Sequence, residues 1–213
     1  MRAILRSLRP HLVDDRGISL VEVVVSMSIM ATVTLVFTTT LASVQRAEVS
    51  ESRRTELNDQ ARLALQSMDR QIRSGNLLYD PVSEPNTSLT SGADVGYMLR
   101  VYSQVNAPST GQYRCALWLI DDNTQLLYRW WPPNQPEDAT AFRVVADGIV
   151  NRTQGSSAFT LETGNRTINV TFYVNPAYAT QPSLTQSFSV SITGRNTSFG
   201  YPVDVCEQLP ADM

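Results

Sequence analysis

Residues 18–44 read ISLVEVVVSMSIMATVTLVFTTTLASV, a run of 27 residues with no Gly, no Pro and a single charge, Glu22. Residues 23–44 alone are uncharged, and as a helix rising 1.5 Å per residue they cover about 33 Å, enough for a hydrocarbon core of about 30 Å. Five threonines and three serines in that span lower its hydrophobicity. In a helix, however, their hydroxyls bond back to carbonyls one turn earlier and leave no donor unpaired. A segment of this kind has no polar face to show to water, so it demands lipid or sister helices around it.

Three readings fit such a segment. A cleaved secretory signal has Arg2, Arg6 and Arg9 as its basic region and Thr40-Leu41-Ala42 as its cleavage site, but its apolar region exceeds the usual 7–15 residues and holds a glutamate. A plain anchor fits the length yet leaves Glu22 without a purpose, since a carboxylate at mid-membrane costs about 2.5–3.5 kcal/mol on insertion scales. The third reading pairs the charge. If a peptidase cuts between Gly17 and Ile18, a new ammonium appears four residues before Glu22. A carboxylate on one helix then neutralises the terminal amine of its neighbour, and two charges that are costly alone become a contact.

The run Asp14-Asp15-Arg16-Gly17-Ile18-Ser19-Leu20-Val21-Glu22-Val23 resembles the processing site of type IV prepilins and pseudopilins, with a basic leader ending in Gly, a hydrophobic residue after it, and Glu fifth in the mature chain. The resemblance covers residues 14–44, and residues 45–75 more loosely. It implies cleavage after Gly17 by prepilin peptidase, N-methylation of Ile18, and docking of the helix through Glu22 into a filament. It implies three sets of partners: prepilin peptidase, other pilin or pseudopilin subunits, and an inner-membrane assembly platform. The chain is then single-pass in the cell membrane, with its head extracytoplasmic, and part of an extracellular filament. Two departures, Ile18 where major pilins usually carry Phe and Thr39 where many carry Pro, point to a minor rather than a major member.

No Gly or Pro interrupts residues 18–74. In the second half of that stretch Leu57, Ala61, Leu65, Met68 and Ile72 step by 4, 4, 3 and 4, an apolar stripe for one face of a helix. Asp69 and Arg73 support the opposite face at i,i+4, and Gly75-Asn76 supplies the stop. Beyond Gly75 the spacing changes to alternation. Ile168, Val170, Phe172 and Val174 oppose Asn169, Thr171 and Tyr173; Phe188, Val190 and Ile192 oppose Ser187, Ser189 and Ser191. Residues 113–120 and 125–131 flank Asp121-Asp122-Asn123-Thr124, a hairpin turn, and further strands are expected near 97–105, 142–150 and 158–162. The organisation predicted is a leader (1–17), a transmembrane and assembly helix (18–44), an amphipathic helix (45–75) and a β-rich head (76–213). The fold class is α+β, a long helix packed on an antiparallel sheet. The head's size and its run Gly194-Arg195-Asn196 are loosely similar to J-type pseudopilins and W-type minor pilins.

The chemistry open to this head is narrow. All 17 basic residues are Arg, and the one histidine, His11, precedes the apolar run. Lysine mechanisms, Ser-His-Asp and Cys-His sites, and His-ligated zinc are excluded beyond it. Removing the leader leaves 13 Arg against 18 acids, a side-chain balance of 13 − 18 = −5, so nucleic acid is not expected as a direct partner. The only two cysteines, Cys115 and Cys206, are read as an extracytoplasmic disulfide, the alternative being two buried thiols. Asp121-Asp122-Asn123 offers hard oxygen donors but lacks the ligand spacing of a calcium loop, and turn chemistry accounts for it, so neither a metal nor a cofactor is expected. Trp130-Trp131-Pro132-Pro133 is either an aromatic platform or core, with Trp130 expected inward and Trp131 at a rim. The expectation is a non-enzymatic filament subunit. Its rivals are a membrane-tethered or secreted surface protein whose head binds a ligand, and an exported hydrolase restricted to acid-only chemistry, which requires two head carboxylates on one cleft.

Overall fold

The computed structural model describes Gly17 and residues 19–105, 112–164, 166–194, 204–211 and 213. The chain divides into two compact units, residues 1–49 and 50–213. A single helix, α1 (Leu20–Arg73), contributes to both.

In the first unit the helix makes no core. Its side chains are exposed almost throughout, Leu20 at 80%, Val21 at 67% and Phe37 at 66%. It is long and apolar enough to cross a membrane. The hydroxyls behave as the sequence demands: Ser28 donates to the Val24 carbonyl at 2.8 Å, Thr32 to Ser28 at 2.9 Å, Thr34 to Met30 at 2.8 Å and Thr40 to Val36 at 2.8 Å. Thr38, Thr39 and Ser43 likewise donate to carbonyls three or four residues back. A stretch rich in hydroxyls therefore presents a surface of methyl and alkyl groups, which is what a lipid-facing helix requires.

The second unit is the head. The last turns of α1 end at Arg73, where Asp69 pairs with Arg73 at 2.8 Å. Leu57, Ala61, Ala64, Met68 and Ile72 form the buried stripe. Leu65, expected on that stripe, is only partly buried at its flank, and Ala64 takes its place. Ala61 and Ala64 are both fully buried beneath the sheets.

The strands are β1 (Gly75–Leu78), β2 (Met98–Val105), β3 (Gln112–Ile120), β4 (Leu126–Trp131) and β5 (Arg143–Ala146), an antiparallel meander in that order. After a short helix α2 (Asn151–Gln154) come β6 (Phe159–Leu161), β7 (Thr167–Val174) and β8 (Gln186–Thr193), a second antiparallel sheet. The α+β class holds, but the expected single sheet is two, of five and three strands. Residues 147–158, with α2 and Gly148 at φ +70°, redirect the chain between them. Gly75-Asn76, expected as a helix stop, opens β1, a short strand not expected from the sequence that pairs with β2 through a bulge.

One core joins α1 to both sheets, with Trp118, Ile120, Phe159, Ile168, Val170 and Phe172 fully buried. A second lies on the other face of the five-stranded sheet: Met98, Cys115, Leu117, Leu119 and Trp131, covered by Val205 and Cys206 of the C-terminal segment. This sheet is therefore buried on both faces, which explains why residues 115–120, CALWLI, read as a continuous apolar run rather than an alternating one. The three-stranded sheet is buried on one face only. Its outer face is a polar ladder in which Thr167 meets Thr193 at 3.1 Å and Thr171 meets Ser189 at 3.0 Å.

Candidate functional site

Gly17 is exposed, and Glu22 sits exposed in the first turn of α1, where the Val23 N–H already bonds the Ser19 carbonyl at 3.1 Å. An acid at this end of a helix meets the unpaired N–H groups and the positive end of the helix dipole, so Glu22 is compatible with the helix start before any partner is considered. Ile18, the rest of the expected leader and His11 lie outside the described residues.

In the head the two cysteines are joined as a disulfide, Cα to Cα 5.7 Å. Its place in the chain follows from the register: Cys115 lies opposite Trp131 on the outer face of β3 and β4, and the segment at 204–206 folds over that face. Arg100, on the same face of β2, donates to the Cys206 carbonyl at 2.7 Å and to the Glu207 carbonyl at 3.0 Å. Tyr79 accepts from the Cys206 N–H at 3.1 Å, and its ring lies 4.5 Å from the Arg100 guanidinium. Glu84, its side chain fully buried, holds Arg100 from the other side, with Nε 3.0 Å from Oε2. Burial pushes the Glu84 carboxyl above its ordinary range, more than the neighbouring Arg100 pulls it down. Burial also pushes the Tyr79 phenol up. The C-terminal segment is thus held by a covalent bond and a buried cation, neither depending on the membrane segment.

A second polar knot fixes the long 79–97 connection. Asp94, fully buried, accepts from the Thr87 N–H at 2.6 Å, the Thr90 hydroxyl at 2.7 Å and Arg152 Nη2 at 2.6 Å. Arg152 also donates to the carbonyls of Ile120 and Ala93 and stacks 4.5 Å from the Tyr97 ring.

The turn acids behave as turn residues. Asp121 accepts from the Gln125 N–H at 2.7 Å, while Asp122 accepts from the Ser91 N–H at 2.6 Å; the Ser91 hydroxyl first and its N–H second pull the Asp122 carboxyl below its usual range. Thr124 takes φ 62° to close the turn. Among the described residues no group of three or more His, Cys, Asp or Glu side chains is placed to hold a metal. Glu56 and Asp147 do line one cleft of about 380 Å³, the pairing that acid-only chemistry requires. Asp147, however, accepts from the Gln125 amide at 2.8 Å, and Arg53 lines the same space.

No family model, no curated protein and no solved structure matches this chain.

The tryptophans are placed the other way round from the expectation. Trp131 is fully buried beside the disulfide, and Trp130 is the partly exposed one, with Arg114 4.6 Å from its ring. The pleat decides this: with cores on both faces, the residue opposite Cys115 is as deeply covered as those opposite Trp118. Sequence reading missed the knots around Arg100 and Arg152. Only the first had a local signal, an arginine in a strand flanked by apolar residues, Met98-Leu99-Arg100-Val101; Arg152, in α2, had none. Of the Gly194-Arg195-Asn196 run, only Gly194 lies within the described residues.

Proposed function

We propose that this protein is a minor pilin or pseudopilin-type filament subunit, cut after Gly17 by prepilin peptidase, N-methylated at Ile18 and assembled through α1 by way of an inner-membrane platform. The observation that carries the reading is the exposed, uninterrupted apolar stretch of α1, whose one charge, Glu22, stands in its first turn five residues after Gly17. A helix that needs only an anchor has no use for that carboxylate beyond favouring its own start. A helix that must dock beside identical or related helices does, because the acid neutralises a neighbour's new amino terminus in a medium where an unpaired charge is costly.

The head supports the same reading. Its disulfide fits an oxidising, extracytoplasmic compartment. Head and membrane segment form separate compact units, so loss of the Glu22 contact is expected to leave the head folded. The subunit acts by assembly rather than by catalysis.

The test is a Glu22→Ala and a Glu22→Gln variant, each followed into the sheared filament fraction and the membrane fraction. Both are expected to keep a head that unfolds like the native one while incorporation falls about tenfold, the effect of 1.4 kcal/mol of lost pairing. Incorporation at the native level by both variants refutes the proposal and returns the chain to the class of tethered surface proteins.

A further inference from the structure

A cleft of about 660 Å³ opens between the last turns of α1 and the five-stranded sheet. The helix side is Ser67, Arg70, Gln71 and Ser74, spaced i, i+3, i+4 and i+7, a polar flank running beside the buried stripe. The sheet side follows from the register. Arg114 lies opposite Ser103, Trp130 opposite Ala116, and Arg143 opposite Tyr128, which puts Arg114, Trp130, Tyr128 and Arg143 on the helix-facing side just past the end of the core.

Three guanidiniums, from Arg70, Arg114 and Arg143, therefore line one cleft, and no carboxylate is among its described lining residues. Two of the three are held by rings: Arg114 stands 4.6 Å from the Trp130 centroid and Arg143 5.6 Å from that of Tyr128. A guanidinium laid on a ring presents its fork in a fixed plane and loses less freedom on binding. Gln71 Oε1, buried with no hydrogen-bond partner, is an acceptor and contributes nothing to holding an anion. The negative end of α1 works against an anion here, but it amounts to about half a charge against three cations. In a head whose other charges are mostly acidic, three arginines gathered without a counter-charge leave a concentrated positive site.

We propose that this cleft binds a small multivalent oxyanion, a di- or tricarboxylate or a condensed phosphate, gripped by Arg70, Arg114 and Arg143. Both ligand types offer pairs of oxygens that match the guanidinium fork, and the volume suits a small molecule. Nucleobases are not the recognised group, because Trp130 and Tyr128 already carry guanidiniums on their rings. The inference does not rest on the filament reading, since every residue in it belongs to the head.

The test uses the full chain in non-ionic detergent micelles, titrated calorimetrically at low salt with citrate and, separately, with inorganic tripolyphosphate. Saturable binding of at least one probe is expected, and the preference between them identifies the carboxylate or phosphate source. Binding is expected to weaken about tenfold or more in Arg114→Gln/Arg143→Gln, the loss of charge-assisted bonds. Arg70→Gln, at an exposed helix position, should weaken it in the same direction and carries the test if the double variant does not fold. Arg53→Gln, which lines a different cleft, should bind as the native chain does. Absence of saturable binding by both probes, or weakening by Arg53→Gln equal to that by Arg70→Gln, overturns the proposal.

Discussion

Removing the Cys115–Cys206 crosslink is expected to cost the head about 4–5 kcal/mol. The two cysteines are 91 residues apart. In the chain-entropy model a loop of that length removes about 15 cal/mol/K from the unfolded ensemble, or about 4.6 kcal/mol at 25 °C. The native side adds to this rather than offsetting it, since Cys115 and Cys206 are both buried and the segment they secure closes the outer core over Trp131. For a domain whose total stability is about 5–15 kcal/mol, the Cys115→Ala/Cys206→Ala variant would be marginal. The assay is urea unfolding of the full chain in non-ionic micelles, followed by emission of the buried Trp118 and Trp131. With a slope of about 2 kcal/mol/M, the midpoint should fall by about 2 M. Native protein held in reductant should converge on the variant. A midpoint shift below about 0.5 M would refute the reasoning, because it would mean that the Arg100 and Tyr79 bonds hold the C-terminal segment unaided.

The buried ion pair carries a pH signature. Glu84 has a folded value above its ordinary 4.5, so the folded head binds the extra proton. The stability it contributes is fully present below the ordinary value and is lost as pH rises through the raised one. Native urea midpoints should decline relative to Glu84→Gln as pH rises above the ordinary glutamate value, and parallel curves would contradict this. Asp94→Ala leaves the largely buried Arg152 with only the more distant Asp122 carboxylate at 3.7 Å and frees the Thr87 N–H, so a loss of about 3 kcal/mol is expected in the same urea assay.

How much of this was legible in the sequence depends on how many faces of each element are covered. Strand β7 was legible to the residue, because Ile168, Val170, Phe172 and Val174 face the core and their neighbours face solvent. The five-stranded sheet was legible as strands but not as faces. With a second core under the C-terminal segment, Trp131 and Trp130 both had apolar surroundings to choose from, and only tertiary pairing with Cys115 decided between them. The stripe on α1 was right in period and one residue off at Leu65, which packs at the flank while Ala64 is buried in its place. The arginine cleft left no local signal at all: Arg70, Arg114 and Arg143 lie on three elements, and only the sheet register brings two of them onto the face that meets the helix. The apolar stretch able to cross a membrane was the clearest feature of the sequence, since length and composition alone define it.

The central claim is that Glu22 stands at the start of a processed assembly helix. Intact mass and N-terminal sequencing of the protein purified from its native membrane or filament fraction test it most directly. The account predicts a mature chain beginning at N-methylated Ile18; a functional chain that keeps residues 1–17, or one that starts after Ala42, contradicts it.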